Sequence, residues 1–182
     1  MHQSTVKELI DLSRQNDAKA FRKLVITHQS LVYTLSFRLL CNDEDAKDIV
    51  QETFIKVWKH LDSFNTDLKF STWLYSIAAH LSYDKLRKTK QNYSLKLDDQ
   101  NIIREFISNE DIEQKVINAE LSNIISSLTR DLTPKQKLVF TLSDLEGLEV
   151  EEIKSITGLS AGKIKSNLYL ARQYIRKKIE NL

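Results

Sequence analysis

The chain has 182 residues, a formal net charge of +2 and 41% hydrophobic residues, enough apolar material for one or two small domains, each with its own core. Its 3 Gly, 1 Pro and long stretches of helical periodicity point to an all-α fold. A single cysteine excludes an internal disulfide, and the scattered histidines His2, His28, His60 and His80 offer no metal cluster. No apolar run approaches membrane-spanning length and the start of the chain lacks a signal-peptide core. A cytoplasmic protein without metal, cofactor or membrane insertion is expected. Cys41 reads as a small buried apolar residue.

Residues 1–90 read as a first domain of four helices. Thr5 and Glu8 can cap the first reciprocally. A longer helix from about Asp17 to Leu40 carries Phe21, Leu24, Leu31, Leu35 and Leu39 inward. Asn42 caps a third, with Ala46, Val50, Phe54, Val57 and Leu61 along one side. Asp45, Asp48 and Glu52 recur along another side at i, i+3 and i+7, with Gln51 at the edge. The helix dipole accounts for Asp43, Glu44 and Asp45 at the N-terminus but not for Glu52 in the third turn. The stripe is either a solvated face or a docking surface for a basic partner.

After a polar turn over Asp62–Lys69, the fourth helix carries Trp73, Leu74, Ile77, Leu81 and Leu86, then a basic cluster of Lys85, Arg87, Lys88 and Lys90. Phe70 and Trp73 read as core aromatics. Phe64 sits instead in the polar turn beside Asn65, where an aromatic suits stacking of an unpaired base, worth roughly 1 to 3 kcal/mol. Residues 91–110 lose periodicity and read as a linker. A helix resumes near Asn109 and leads, through Val116, Ile117, Leu121, Ile124 and Ile125, into a second domain over 111–182.

That second domain reads as a helix-turn-helix. Thr133, Pro134 and Gln136 open a helix that carries Leu138, Val139 and Leu142 inward and ends near Gly147. A short helix from Val150 to Thr157 stops at Gly158, and Ser160 caps the next. This last helix turns Ile164, Leu168, Ala171 and Ile175 inward and leaves Lys163, Lys165, Ser166, Asn167, Tyr169, Arg172 and Arg176 available. Residues 144–152 hold Asp144, Glu146, Glu149, Glu151 and Glu152 and no base, whereas bases dominate from Lys163 on. A phosphate backbone repels the first stretch and accepts the second. With so small a net charge, two separated basic patches suggest two DNA contacts and another component that supplies affinity by binding an acidic surface.

Three stretches resemble a known family in the right order. Asp43-Glu44-Asp45-Ala46-Lys47-Asp48-Ile49-Val50-Gln51-Glu52-Thr53-Phe54-Ile55-Lys56-Val57-Trp58 resembles the polymerase-binding segment of bacterial sigma factors of the extracytoplasmic-function group. Phe70-Ser71-Thr72-Trp73-Leu74-Tyr75-Ser76-Ile77-Ala78, with Asp84-Lys85-Leu86-Arg87, is similar to the adjoining promoter-melting segment. Glu146-Gly147-Leu148, Glu152-Ile153, Gly158 through Ser166 and Ala171-Arg172 resemble the C-terminal reader.

The resemblance implies a polymerase specificity subunit with no active site of its own. It implies that Asp45, Asp48, Gln51 and Glu52 dock on the clamp helices of the largest subunit of core RNA polymerase, that the C-terminal domain meets the flap region, and that the linker lies in the RNA channel. Phe64, Asn65 and His80 would hold the opened minus-ten strand, with Lys85, Arg87 and Lys88 neutralising phosphates. Lys163, Lys165, Ser166, Asn167, Tyr169, Arg172 and Arg176 would meet the minus-thirty-five element in the major groove. Promoter DNA and an anti-sigma factor are the further partners implied. The chain departs from the family at Ala79-His80, where Arg-Asn is common, and at Asn167, where Arg is common. An ordinary helix-turn-helix regulator would account for residues 133–182 but leave the acidic stripe and the aromatic turn unused. A helical adaptor for proteins alone would leave the basic helix unexplained, and no carboxylate cluster supports an enzyme.

Overall fold

The computed structural model describes residues 5–95 and 123–181. Among these residues there is no strand. The N-terminal lobe comprises α1 (Val6–Arg14), α2 (Ala18–Leu40), α3 (Asp43–His60), a 3-10 turn (Leu61–Ser63) and α4 (Phe70–Leu95). The C-terminal lobe comprises α5 (described over 123–129), α6 (Pro134–Phe140) continued by a π-helical turn (Thr141–Leu145), α7 (Val150–Thr157) and α8 (Ala161–Ile179).

Local chemistry sets these boundaries. The Thr5 and Glu8 capping box opens α1, and Asp17 accepts from the amides of Lys19 and Ala20 to open α2. Asn42 accepts from the Asp45 amide at the start of α3, and Thr133 and Gln136 cap α6 reciprocally. Gly158 ends α7 with φ +69°, a left-handed conformation that strains any residue with a Cβ, and Ser160 then accepts from the Lys163 amide. Cys41 adopts a similar left-handed conformation, φ 52°, at the end of α2, and it is only partly buried, not the core residue that its composition suggests.

α2 packs against α1, α3 and α4, and α6 packs against α8. α4 also packs against α6 and α7, so the lobes share one buried cluster. Leu24, Leu35, Leu39 and Leu74 in that cluster belong to one lobe, and Leu138, Leu142, Ile153 and Ile156 to the other. Burying each such side chain stabilises the fold by roughly 1.5 to 3 kcal/mol. Within α2 the stripe centres on Leu24, Val32, Leu35 and Leu39, with Phe21 and Leu31 half-buried at its edges. On α3, Ile49 lies deeper than Val50, and on α4 Ala78 and Ser82 lie deeper than Trp73, Ile77 and Leu86. α4 runs on to Leu95, past the boundary expected at residue 90. The rest of the expected linker, and Val116, Ile117 and Leu121, lie outside the described residues. Ile125 is buried as expected, while Ile124 is exposed.

Among the described residues, no helix is long and apolar enough to cross a membrane. Nor do they contain a group of His, Cys, Asp and Glu placed to hold a metal.

Candidate docking and nucleic-acid surfaces

The acidic stripe of α3 is real as a surface: Asp48, Gln51 and Glu52 are exposed, and Asp45 is half-buried. The structure adds a partner from the basic cluster. Lys85 crosses from α4 to place Nζ 2.6 Å from Asp45 Oδ1 and 3.4 Å from Asp48 Oδ2. Partial burial disfavours the ammonium, but hydrogen bonds and charge from the two aspartates outweigh it and hold the lysine above its usual range. Arg87 and Lys88, a turn further on, remain exposed.

Beside the stripe runs an open apolar groove between α2 and α3, lined by Phe21, Val25, Val50, Phe54, Ile55 and Trp58. Trp58 packs edge-on against Phe21, with ring centroids 4.7 Å apart, yet keeps 40% of its surface exposed. The exposure of Ile55 and Trp58 next to the carboxylates makes the face mixed, with apolar area to bury and charge to orient a partner.

The turn after α3 corrects one expectation. Phe64 is not free to stack a base: it is 5% exposed, and its ring stacks on Trp73 at 4.7 Å and meets Phe70 edge-on at 5.5 Å. Phe70 and Trp73 of α4 cover the ring, so the turn folds Phe64 inward and leaves Asn65 to Lys69 outside. Asn65 Oδ1 accepts from the Asp67 amide and its carbonyl from the Leu68 amide, which makes the tip a closed turn with Leu68 61% exposed.

His80 is exposed on α4, and its Nδ1 lies 2.6 Å from the Ser76 carbonyl, an acceptor only. Nδ1 therefore carries a proton in that bond, and Nε2 is the ring atom left for another partner. His80 also lines a small cavity between the lobes with Ala79, Tyr83, Leu138, Ile156 and Leu159.

The lobes are joined by polar bonds that sequence reading missed. Glu146, assigned above to an acidic stretch facing away from DNA, turns its side chain into their junction, where that side chain is 8% exposed. Arg38 Nη1 donates to Glu146 Oε1 at 2.8 Å and to the Leu145 carbonyl at 2.6 Å, and the Tyr75 hydroxyl donates to Glu146 Oε2 at 2.9 Å. Burial first, then the charge and hydrogen bond of Glu146, push the Tyr75 phenol well above its ordinary range. No local pattern announces these contacts, because the partners lie far apart in sequence.

In the reader, Ile164, Leu168, Ala171 and Ile175 face inward as expected. Ser166, Tyr169, Gln173 and Lys177 point most directly away from them, and Lys165, Arg172 and Arg176 form one flank. Lys163 and Asn167 form the other flank, where Asn167 Nδ2 donates back to the Lys163 carbonyl. Tyr169 is 61% exposed and Lys165 and Ser166 are open. Arg172 differs: its Nε and Nη2 grip Asp144 at 2.9 and 2.5 Å, tying α8 to the π-helical turn. At the far end of α8, hydrogen bonds from Tyr174 and Lys178 hold Asp131 below the usual carboxylate range.

Residues 24–92 match the family described as Sigma-70 region 2, and residues 122–175 match Sigma-70, region 4. The chain is 32% identical over 186 residues to the ECF RNA polymerase sigma factor SigW of Bacillus subtilis, covering 97% of this chain and 98% of that protein. It is likewise 32% identical over 189 residues to the ECF RNA polymerase sigma-E factor of Escherichia coli, covering 99% and 97%. Among solved structures, CnrH in complex with the cytosolic domain of CnrY aligns with TM-score 0.68 at 21% identity, covering 95% of this chain and 96% of that one. The sigma factor RpoE in complex with the anti-sigma factor NepR from Bartonella quintana aligns at 0.65 and 22%, covering 90% and 98%. At these identities the two structures speak for a shared fold.

Proposed function

The chain belongs to the sigma-70 family, in its extracytoplasmic-function group, and from that premise we propose how this promoter-directing subunit of RNA polymerase divides its work among its surfaces. The observation that carries the reading is the presence, in one chain, of an exposed acidic helix face beside an apolar groove and a helix-turn-helix with an open basic helix.

Asp48, Gln51 and Glu52, with Asp45 behind them, dock on the clamp helices of the largest polymerase subunit, and the groove of Ile55 and Trp58 seats an apolar side chain of the same partner. The C-terminal lobe meets the flap region. Lys165, Ser166 and Tyr169 enter the major groove of the minus-thirty-five element, where all four base pairs present distinct edges. Lys163, Asn167 and Arg176 lie on its flanks and hold phosphates. Arg172 reaches DNA only by giving up Asp144. On the other lobe, Asn65 and the turn around it, with His80, hold the opened minus-ten strand, and Lys85, Arg87 and Lys88 neutralise its phosphates.

The subunit has no active site and needs no cofactor: it acts by placing polymerase, and it works in the cytoplasm where polymerase and chromosome meet. An anti-sigma factor that covers the same faces is the natural regulator. Sedimentation of the chain with core polymerase and a promoter fragment tests the reading. A ternary complex that needs all three components supports it; duplex binding by the chain alone, as tight as with polymerase, would make it an ordinary helix-turn-helix regulator.

A further inference from the structure

The turn that carries Asn65 is held by a residue outside the stretch that matches Sigma-70 region 2, which begins at residue 24. Arg14, the last residue of α1, donates from Nε to the Leu61 carbonyl at 3.2 Å and from Nη2 to the Phe64 carbonyl at 2.5 Å. Its Nη1 lies 3.6 Å from Asp11 one turn back on α1. Leu61 and Phe64 bracket the 3-10 turn; the Leu61 carbonyl already accepts the Phe64 amide at 3.2 Å, and its second lone pair takes Arg14. A planar guanidinium can bridge two such carbonyls at once, which an ammonium on a flexible stem cannot do with equal rigidity.

The same turn is pinned from its other side by the Phe64 ring on Trp73. With the backbone held by Arg14 and the Phe64 side chain held by α4, the tip, Asn65 to Lys69, faces outward, as do Asp62 and Ser63 before it. We propose that Arg14 is a positioning residue for promoter opening: it fixes the backbone of this turn in advance, so that the tip captures the unpaired minus-ten strand without first being ordered. The inference rests on the role given above to the turn around Asn65. Fixing a few residues beforehand removes an entropic cost from strand capture and leaves contacts to double-stranded DNA unchanged.

The test uses holoenzyme formed with the full chain and a promoter mapped by run-off transcription. Binding is measured to a fork template with the minus-ten non-template strand unpaired, and to a duplex fragment that ends upstream of the minus-ten element. Loss of the two hydrogen bonds that fix the turn predicts that Arg14→Ala weakens fork binding roughly 5- to 30-fold, with the duplex fragment bound within about twofold of wild type. Arg14→Lys should recover part of the loss. A chain that merely folds less well would lose active fraction on both templates alike, so equal losses overturn the proposal, as does unchanged fork binding by Arg14→Ala. Asn65→Ala and Leu68→Ala separate the two levels. If they weaken fork binding while Arg14→Ala does not, the positioning role alone fails; if neither tip variant has an effect, the assignment of the turn fails with it.

Discussion

Lys85 Nζ sits 2.6 Å from an oxygen of Asp45 and thereby joins the basic end of α4 to the acidic stripe of α3. A lysine assigned to DNA phosphate and an aspartate assigned to polymerase occupy each other in the free chain. The pair is partly exposed, with side chains 32% and 35% accessible, so it contributes at most about 1 kcal/mol and yields readily to a stronger partner.

The docking face should fail by charge reversal. Asp48→Arg combined with Glu52→Arg should abolish co-purification with core polymerase while leaving helical circular dichroism unchanged, since both side chains are exposed. Each lost pair is worth only about 0.2 to 1 kcal/mol, but reversal adds repulsion from a basic partner. A double variant that still co-purifies with polymerase would move the docking surface elsewhere.

In the reader, base reading and scaffolding should separate. Lys165→Ala should weaken binding to a matched upstream element by about 1 to 3 kcal/mol more than to a scrambled one if it reads a base edge. Lys177→Ala should weaken both alike and lower the salt slope by about 1. Arg172→Ala should instead lower the urea midpoint of the protein alone, because it removes the grip on Asp144. Equal effects of Lys165→Ala and Lys177→Ala on both elements would reduce this helix to a source of charge.

The junction between the lobes should be sensitive at Glu146. Glu146→Ala leaves Arg38 and Tyr75 without their shared acceptor, and should cost roughly 3 kcal/mol, the lower end for a broken buried pair because Arg38 keeps some water. Tyr75→Phe should cost about 1 kcal/mol. The pH dependence has a definite sign: the folded phenol lies above its unfolded range, so its contribution is whole below about pH 10 and is lost as pH rises further. Urea titrations at neutral pH and above pH 10 check both statements; a Tyr75 contribution that grows with alkalinity would contradict them.

Much of this was legible because it is local. The caps at Thr5, Asn42, Thr133 and Ser160, the stop at Gly158 and the inward stripe of α8 all follow from residues within a turn or two of each other. The acidic face of α3 was legible for the same reason. Phe64 was misread because a polar turn says nothing about which aromatics of the next helix will cover a ring. Arg14, Arg38 and Glu146 were invisible because each acts on a partner brought near only by tertiary packing.

His80 should set base preference where the family commonly carries Asn. With Nδ1 donating to the Ser76 carbonyl, a neutral ring offers a partner only the acceptor Nε2, whereas an Asn amide offers donor and acceptor together. His80→Asn should therefore change the preferred minus-ten base in a promoter library transcribed in vitro, with polymerase affinity and upstream preference fixed. An unchanged profile would leave His80 as a residue that only packs at the lobe junction.

The central claim, that this chain gives polymerase its promoters, is tested most directly by run-off transcription of fragmented host DNA with purified core polymerase, with and without the chain. Discrete transcripts that arise only when the chain is present, and whose starts share an upstream and a minus-ten element, are the predicted result. Transcripts unchanged by the chain, or lost on its addition, would contradict the account.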